Sequence, residues 1–274
     1  FNLNVYGNLW EQVAKFRAAR KLWARLLKEE YGVKDKKNLF LRGLFGGGGS
    51  GLTKEQPENN IIRGAYYALA AALSGAQTTA LCSFDEAYTI PTPRAALLSL
   101  RTLEIVMEEV GLRDTVDPLA GSYFIETLTK EMEERITAEM SRVQEIGGMV
   151  HAVSSGYIQK EVAKQAYDFE KSIQNGEVTK VGVNKYTEGE AQDVELHQYD
   201  DSWVGTQIAT LKTLRLTRNN RDVSRSLKAL EQAARDGSNV MPALVECCRA
   251  YATVGEMTEV LRDVFGEWNE PRLF

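Results

Sequence analysis

Two stretches of this sequence have the residue types and spacing of a ligand-binding site, and the first is a run of glycines. Residues 45–51 read FGGGGSG. Bare backbone of this kind lets a large ligand approach the main chain closely, although a flexible surface loop or spacer has the same composition. The run contains the dinucleotide pattern GxGxxG only trivially. A P-loop is excluded, because two residues separate the last glycine of the run from Lys54.

The second stretch is SFDEAYTIPTP, residues 83–93, which contains two adjacent carboxylates, Asp85 and Glu86. At the end of a strand these acids would stand at the mouth of a site, where they could contact a ligand. Acidic pairs more commonly mark the start of a helix, where they interact with the helix dipole. Both interpretations remain open from this stretch alone.

The two histidines, His151 and His197, complete no recognised catalytic or metal-binding pattern. Neither lies in a DxHxxG context, and their spacing to the cysteines is not that of a metal site. No Ser-His-Asp or Cys-His arrangement can be argued from them. We expect surface or packing roles for both, and no metal site.

The order of secondary-structure elements predicts where the two stretches lie. Apolar positions at the helical period predict helices over residues 9–30, 93–110 and 128–146, and another that begins at a capping box, Thr53 to Gln56. Short apolar runs predict strands in KNLFLRGLF (37–45), in TTALCSF (78–84) and, as a possible last strand, in DTVDP (114–118). From residue 157 onward we expect mostly charged helices, with a terminal helical region over residues 221–235 and 240–265.

This strand, loop and helix alternation, at about 38 to 40 residues, is typical of parallel βα units and predicts an α/β fold. Three strands cannot close a barrel, so the chain forms either a small open sheet or the second half of a barrel. The opening FNLNVYG reads as the tail of an alternating strand, from which we expect a preceding N-terminal portion. Both binding stretches follow predicted strands, and therefore open on the face where barrel enzymes build active sites.

Composition narrows the function classes. The chain has 274 residues, 43% of them hydrophobic, and a net charge of −5. This charge gives no electrostatic reason to expect nucleic acid or an anionic membrane as a partner. Three cysteines without a framework of spaced pairs favour a reduced, cytoplasmic setting, and no apolar run approaches the roughly 20 residues of a membrane helix.

Several separated blocks carry a resemblance that covers nearly the whole chain. They are NNIIRGAYYALAAALSGAQTTALCSFDEAYTIPT, DTVDPLAGSYFIETLT, EIGGMVHAV, VGVNKY and ATVGEMTEVLRDVFGEW. In this order they resemble the large subunit of adenosylcobalamin-dependent acyl-CoA mutases, the methylmalonyl-CoA mutase family, which includes isobutyryl-CoA and 2-hydroxyisobutyryl-CoA mutases.

The resemblance implies the C-terminal part of a (β/α)8 TIM barrel, residues 1–150, followed by a mostly helical region, residues 151–274. It implies a radical 1,2-rearrangement of the carbon skeleton of a branched acyl-CoA such as methylmalonyl-CoA, with adenosylcobalamin as the cofactor. The implied partners are the N-terminal half of the large subunit and a small cobalamin-binding subunit, because the cobalamin-ligating DxHxxG motif does not occur in this sequence. A hetero-oligomer or a dimer is expected, since a partial barrel leaves strand edges unpaired.

The resemblance also implies individual cofactor-binding residues. Glu86 matches the acid that contacts the adenosyl ribose, Gly49 a glycine packed against the cofactor, and Gln77 a glutamine in the barrel mouth. The family usually reads QTSGWS where this chain has GGGGSG, so Gly46 stands for a glutamine near the adenosyl group and Ser50 for a tryptophan. Cys82 stands where the family has asparagine.

These departures suggest that the glycines make room for a larger acyl group or for a differently placed adenosine. The catalytic tyrosine and histidine of the family belong to its N-terminal half. Two further functions stay open: a non-catalytic mutase-like module that binds a cobalamin subunit, and a phosphate- or nucleotide-binding α/β enzyme, which the missing P-loop lysine disfavours.

Overall fold

A small parallel sheet joins the start of the chain to the segment before the glycine run. The computed structural model of the protein describes residues 1–187 and 194–271. Strand β1 (Asn2–Asn4) pairs in parallel with β2 (Leu44–Gly46), with Leu3 opposite Phe45. Residues 78–81 continue the sheet beyond β2 through two isolated parallel bridges, Leu44 to Thr78 and Gly47 to Leu81.

Contacts divide the chain into two compact units. The first is Phe1–His197 and the second runs from Gln198 onward. The first unit contains helices α1 (Leu9–Glu29), α2 (Asn59–Leu73), α3 (Pro93–Glu108), α4 (Tyr123–Glu145), α5 (Met149–Ser154) and α6 (Tyr157–Gln174). The second contains α7 (Ser202–Thr217), α8 (Asn220–Arg235), α9 (Met241–Arg249) and α10 (Val254–Phe265). No helix in the described parts of the chain is long and apolar enough to cross a membrane.

The core of the first unit joins the sheet to the helices that follow its strands. The ring of Phe16 on α1 stacks on that of Phe45 on β2, with the centroids 4.3 Å apart. Val5, Tyr67 and Ala71 are buried in the same cluster. Burial of such aromatic and aliphatic surface is the main term that holds α1 and α2 against the sheet.

The predicted strands are longer than the observed ones. Only the end of KNLFLRGLF is a strand, because residues Lys36–Leu39 form a short 3₁₀ helix. The side chain of Asp35 caps its N-terminus by accepting a hydrogen bond from the Lys37 N–H. DTVDP contains no strand. There Asp117 adopts a left-handed φ of 47° and its carboxylate forms an ion pair with Arg17 of α1, which holds the segment as a turn.

Helix boundaries deviate from the predictions where tertiary contacts compete. The capping box predicted at Thr53 is wrong, and α2 begins at Asn59. The reason is that the backbone N–H of Thr53 donates to Asn60 Oδ1, while its hydroxyl accepts a hydrogen bond from Arg63. The terminal helical region predicted over residues 240–265 is helical and consists of α9 and α10, which separate where Tyr251 takes a left-handed φ of 62°.

Candidate functional site

In the glycine loop, residues 45–51, other parts of the chain occupy the space that side chains at Gly46, Gly48 and Gly51 would need. A Cβ at Gly46 would lie 2.3 Å from the carbonyl oxygen of Ala80 in the neighbouring extended segment. A Cβ at Gly48 would lie 2.5 Å from the ring of Tyr67, and one at Gly51 would lie 2.0 Å from the hydroxyl of the same tyrosine. Gly48 also has a φ of 84°, which disfavours any side chain. Intramolecular packing therefore accounts for these glycines without a ligand.

Hydrogen bonds hold the loop in one conformation. Asn4, at the end of β1, accepts a hydrogen bond from the Gly48 N–H at 2.7 Å and donates to the Ser50 hydroxyl at 3.3 Å. The Gly51 N–H donates back to the Gly48 carbonyl at 2.8 Å, which closes a 3₁₀ turn. These contacts are not those of a flexible spacer.

Gly49 is the member of the loop that faces other candidate site residues. A Cβ at this position would lie 3.2 Å from Cys82 Sγ and 3.8 Å from Glu86 Oε1. Backbone hydrogen bonds bring the segments of Gly49 and Cys82 together. The Gly47 N–H donates to the Ala80 carbonyl, and the Gly47 carbonyl accepts from the Cys82 N–H at 3.0 Å. The structure thus places Gly49, Cys82 and Glu86 in one cluster where two parallel segments end.

The thiol of Cys82 is kept protonated by its surroundings. Burial raises the pKa of Cys82, and the nearby Glu86 carboxylate raises it further, while a backbone hydrogen bond from Gly49 acts in the opposite direction. A protonated thiol is a weak nucleophile, because the thiolate is the reactive form. The cluster is therefore suited to contact a ligand rather than to attack one.

The two adjacent acids have different environments. The Asp85 side chain is buried, with 1% of the residue's surface exposed. Its carboxylate accepts hydrogen bonds from the Ser83 hydroxyl and from the backbone N–H of Thr92 at 3.0 Å, which closes the loop between residues 83 and 92. Glu86 is exposed, so its carboxylate is available to accept hydrogen bonds from a ligand.

Gln77 lies apart from this cluster. It is exposed and precedes Thr78, at the opposite end of the extended segment from Cys82. It lines a cavity with residues of α1 and α4, among them Arg20 and Thr129. The structure therefore does not bring Gln77 to the other predicted site residues.

The two histidines lie in different parts of the first unit. His151 lies in the short helix α5, and the ring of His197 contacts the carbonyl oxygen of Pro91 through Nδ1 at 3.3 Å. Among the described residues, no group of three or more His, Cys, Asp or Glu side chains could hold a metal ion.

Sequence reasoning missed three residues that shape this region. They are Asn4, Tyr67 and Lys180, whose ammonium donates to the Gly51 carbonyl at 2.6 Å. Nothing in the local sequence around Asn4 or Tyr67 indicates these contacts. For Lys180 the hint was its position directly before the VGVNKY block.

Comparison with known proteins gives consistent matches over almost the whole chain. The family model described as methylmalonyl-CoA mutase matches residues 1–267. The chain is 36% identical over 270 residues to the "2-hydroxyisobutanoyl-CoA mutase large subunit" of Aquincola tertiaricarbonis, which covers 98% of this chain and 48% of that protein. It is 38% identical to the "Probable methylmalonyl-CoA mutase, mitochondrial" of Caenorhabditis elegans, over 97% of this chain and 36% of that protein. It is 36% identical to the human "Methylmalonyl-CoA mutase, mitochondrial", over 95% of this chain and 35% of that protein.

The chain therefore spans about a third to a half of the length of the curated relatives that it matches.

Proposed function

The chain belongs to the methylmalonyl-CoA mutase family, and from this premise we propose that it is the C-terminal part of the large subunit of an adenosylcobalamin-dependent acyl-CoA mutase. The reaction would be a 1,2-rearrangement of the carbon skeleton of a branched acyl-CoA, such as methylmalonyl-CoA. The observation that carries the proposal is the cluster of Gly49, Cys82 and Glu86 at the ends of adjacent parallel segments.

The proposed architecture is the last part of a (β/α)8 barrel over residues 1–150, followed by a mostly helical region over residues 151–274. Support comes from β1, β2 and residues 78–81, which lie side by side and in parallel, each followed by a helix. In such barrels the active site is built from the loops at the carboxyl ends of the strands. The glycine loop and the loop of residues 83–92 both follow such ends.

The cluster has features that fit adenosylcobalamin. At Gly49 the missing side chain leaves a cradle that a Cβ would fill, bordered by Cys82 and Glu86. The exposed carboxylate of Glu86 has the acceptor oxygens that the hydroxyl groups of a ribose require. When bound, adenosylcobalamin supplies radical chemistry through its cobalt–carbon bond.

The residues of this chain would bind and orient the adenosyl group. Glu86 would accept hydrogen bonds from the ribose, and Gly49 would let the ring system approach the backbone. Cys82, protonated at neutral pH, would line the same wall with a small and weakly polar side chain. Gly46 serves the packing of the sheet, and a direct contact of Gly46 or Gln77 with the cofactor stays a prediction from the resemblance.

Other parts of the enzyme would supply the remaining functions. The proposed partners are the N-terminal half of the large subunit, which would contribute the catalytic side chains, and a small subunit or domain that holds the cobalamin. Acyl-CoA is the proposed substrate. A cytoplasmic setting belongs to the same proposal and rests on the cysteines, all three of which are free.

The test is a titration of the reconstituted complex, which combines the complete large subunit and a cobalamin-binding subunit loaded with adenosylcobalamin. Branched acyl-CoAs of increasing size are added, and isomerised product is followed by mass spectrometry beside the absorbance of the cofactor. Cofactor-dependent isomerisation of one substrate class would support the proposal and name the substrate.

Absence of product across the panel, in a complex whose assembly has been verified, would contradict it. That result would favour a non-catalytic module that binds the cobalamin subunit. A Glu86→Gln variant serves as the site control, because it keeps the size of the side chain and removes the charge. It should weaken the binding of adenosylcobalamin relative to cob(III)alamins that lack the adenosyl group.

A further inference from the structure

The segment VTKVGVNKY, residues 178–186, packs against the glycine loop although it lies more than a hundred residues away in sequence. The ammonium of Lys180 donates to the Gly51 carbonyl at 2.6 Å. Arg63 of α2 donates to the Val181 carbonyl at 2.8 Å, and the Gln56 side chain donates to the Tyr186 carbonyl at 2.9 Å. One short segment is thus attached to the glycine loop, to the turn after it and to α2.

The segment has internal contacts that make it a firm support. The Asn184 side chain accepts from the Lys180 N–H at 2.7 Å and donates to the carbonyls of Ile173 and Val178 at 2.8 and 2.7 Å. It thereby ties the segment to the end of α6. The backbone that carries Lys180 is fixed before its side chain reaches the loop.

The Lys180 ammonium lies in surroundings that disfavour its positive charge. Burial lowers the pKa of Lys180, and the nearby guanidinium of Arg63 lowers it further. A charged group that is partly withdrawn from water makes strong hydrogen bonds to the acceptors that remain. Its acceptor here is the last carbonyl of the glycine turn.

The turn transmits this contact to the candidate site. Gly51 donates to the Gly48 carbonyl at 2.8 Å and Leu52 donates to the Gly49 carbonyl at 3.0 Å, so hydrogen bonds within the turn link Gly51 to the residues before it. Cys82 Sγ lies beside Gly49, 3.2 Å from where a Cβ of that residue would be. We propose that Lys180 is a positioning residue that, from the segment after α6, fixes the glycine turn and with it the wall formed by Gly49 and Cys82.

The importance of Lys180 for catalysis rests on the proposed function, whereas the test of its positioning role does not depend on that function. The reactivity of Cys82 reports the position of the turn, because the residue is half-buried and its Sγ atom lies 3.2 Å from where a Cβ of Gly49 would be. The complete protein, without cofactor, is treated with iodoacetamide, and alkylation of each cysteine is timed by peptide mass spectrometry. Cys247, which is buried in the second unit, reports loosening of that unit, hydrogen exchange of the α1 amides reports loosening of the first unit, and exposed Cys248 reports the activity of the reagent.

Three variants separate the role of the cation from simple disruption. Lys180→Met removes the donor at similar length, Lys180→Arg keeps a cationic donor, and Lys185→Met changes an exposed lysine of the same segment. We expect Lys180→Met to raise the alkylation rate of Cys82 about five-fold or more, since the rate follows thiol exposure, with Cys247 and the exchange of the α1 amides unchanged. Lys180→Arg and Lys185→Met should remain close to the unmodified protein.

An unchanged Cys82 rate in Lys180→Met would overturn the inference, as would a parallel rise in the exchange of the α1 amides or in the alkylation of Cys247. It would also be overturned if Lys180→Arg reacted as fast as Lys180→Met, since a cationic donor would then not be what holds the turn. Isomerase activity is measured separately on the loaded enzyme. If Cys82 responds as expected and no substrate is turned over, the positioning role stands and the proposed function fails.

Discussion

The hydroxyl oxygen of Tyr67 lies where a side chain at Gly51 would begin: a Cβ at Gly51 would be 2.0 Å from it. Tyr67 is nearly fully buried, and burial raises the pKa of its hydroxyl, so the group remains neutral in the folded protein. The ring also lies under Gly48. The conformation of the glycine loop is thus matched to one aromatic side chain of α2.

Gly51→Ala should destabilise the protein by about 1–3 kcal/mol, because the added methyl group overpacks a site already filled by Tyr67. Tyr67→Phe should restore part of this loss, since it removes the nearest atom. The measurement is a double-mutant cycle on the free energy of unfolding. Strictly additive effects of the two substitutions would show that the residues do not compete for space.

Gly46→Gln, which introduces the glutamine that the family usually has, should destabilise the fold. The new Cβ would meet the backbone of Ala80 at 2.3 Å, and backbone in a sheet cannot move away as a flexible side chain can. We expect a lower thermal unfolding midpoint than for Ser50→Gln, an exposed position of the same loop. Equal midpoints for the two variants would contradict the packing explanation.

Ser50→Trp is the better test of the idea that the loop makes room for a larger substrate. Ser50 is exposed, so a tryptophan can be accommodated without displacing the core. In the complete enzyme the ratio of kcat/KM for long over short branched acyl-CoAs should fall by about ten-fold or more, as expected when a pocket loses the space of a few methylene groups. Ser50→Ala should leave the ratio unchanged. An unchanged ratio in Ser50→Trp as well would contradict the hypothesis that the loop makes room for a larger acyl group.

The sequence predicted the helices whose starts and apolar periods are determined by residues close together in the chain. Helix α1 and the proline-initiated α3 were confirmed, because apolar periodicity and a proline in the first turn act within a few residues. The neighbourhood of Gly49 and Glu86 also followed from the rule that parallel strand ends meet at one edge.

The errors arose where side chains outside the local pattern determine the structure. The turn at Asp117 depends on Arg17, a hundred positions earlier, and the Thr53 hydroxyl is taken by Arg63 instead of capping a helix. The glycine run looked like space for a ligand, whereas Tyr67 and Ala80 fill most of that space. None of these contacts leaves a trace in the nearby sequence.

Glu86→Gln should lower the pKa of Cys82. The negative charge of Glu86 disfavours the thiolate, so its removal favours ionisation, while the larger contribution from burial remains. The measurement is the pH dependence of iodoacetamide alkylation at Cys82, whose midpoint should shift to lower pH. Glu55→Gln, at an exposed position, is the control; a midpoint that is the same in both variants would show that Glu86 does not act on the thiol.

Glu256→Gln should make the second unit less stable at neutral pH and less sensitive to acid. Arg218 donates to both carboxylate oxygens of Glu256, at 2.8 and 2.5 Å, and these hydrogen bonds lower the pKa of Glu256 to about 2. A lowered carboxyl pKa contributes stability above its unfolded value of 4.5, and this contribution is lost as the pH falls towards 2. At neutral pH we expect a loss of about 2 kcal/mol, as for a hydrogen bond between charged groups.

Hydrogen exchange of the α8 and α10 amides, followed by mass spectrometry between pH 7 and pH 2.5 after correction for intrinsic exchange, measures this difference. The two proteins should differ most near neutral pH and converge in acid. Glu246→Gln is the control, because its ion pair with Arg249 is exposed and contributes little. A constant difference across the pH range would mean that the charge of Glu256 does not stabilise the unit, and that the side chain acts through its shape alone.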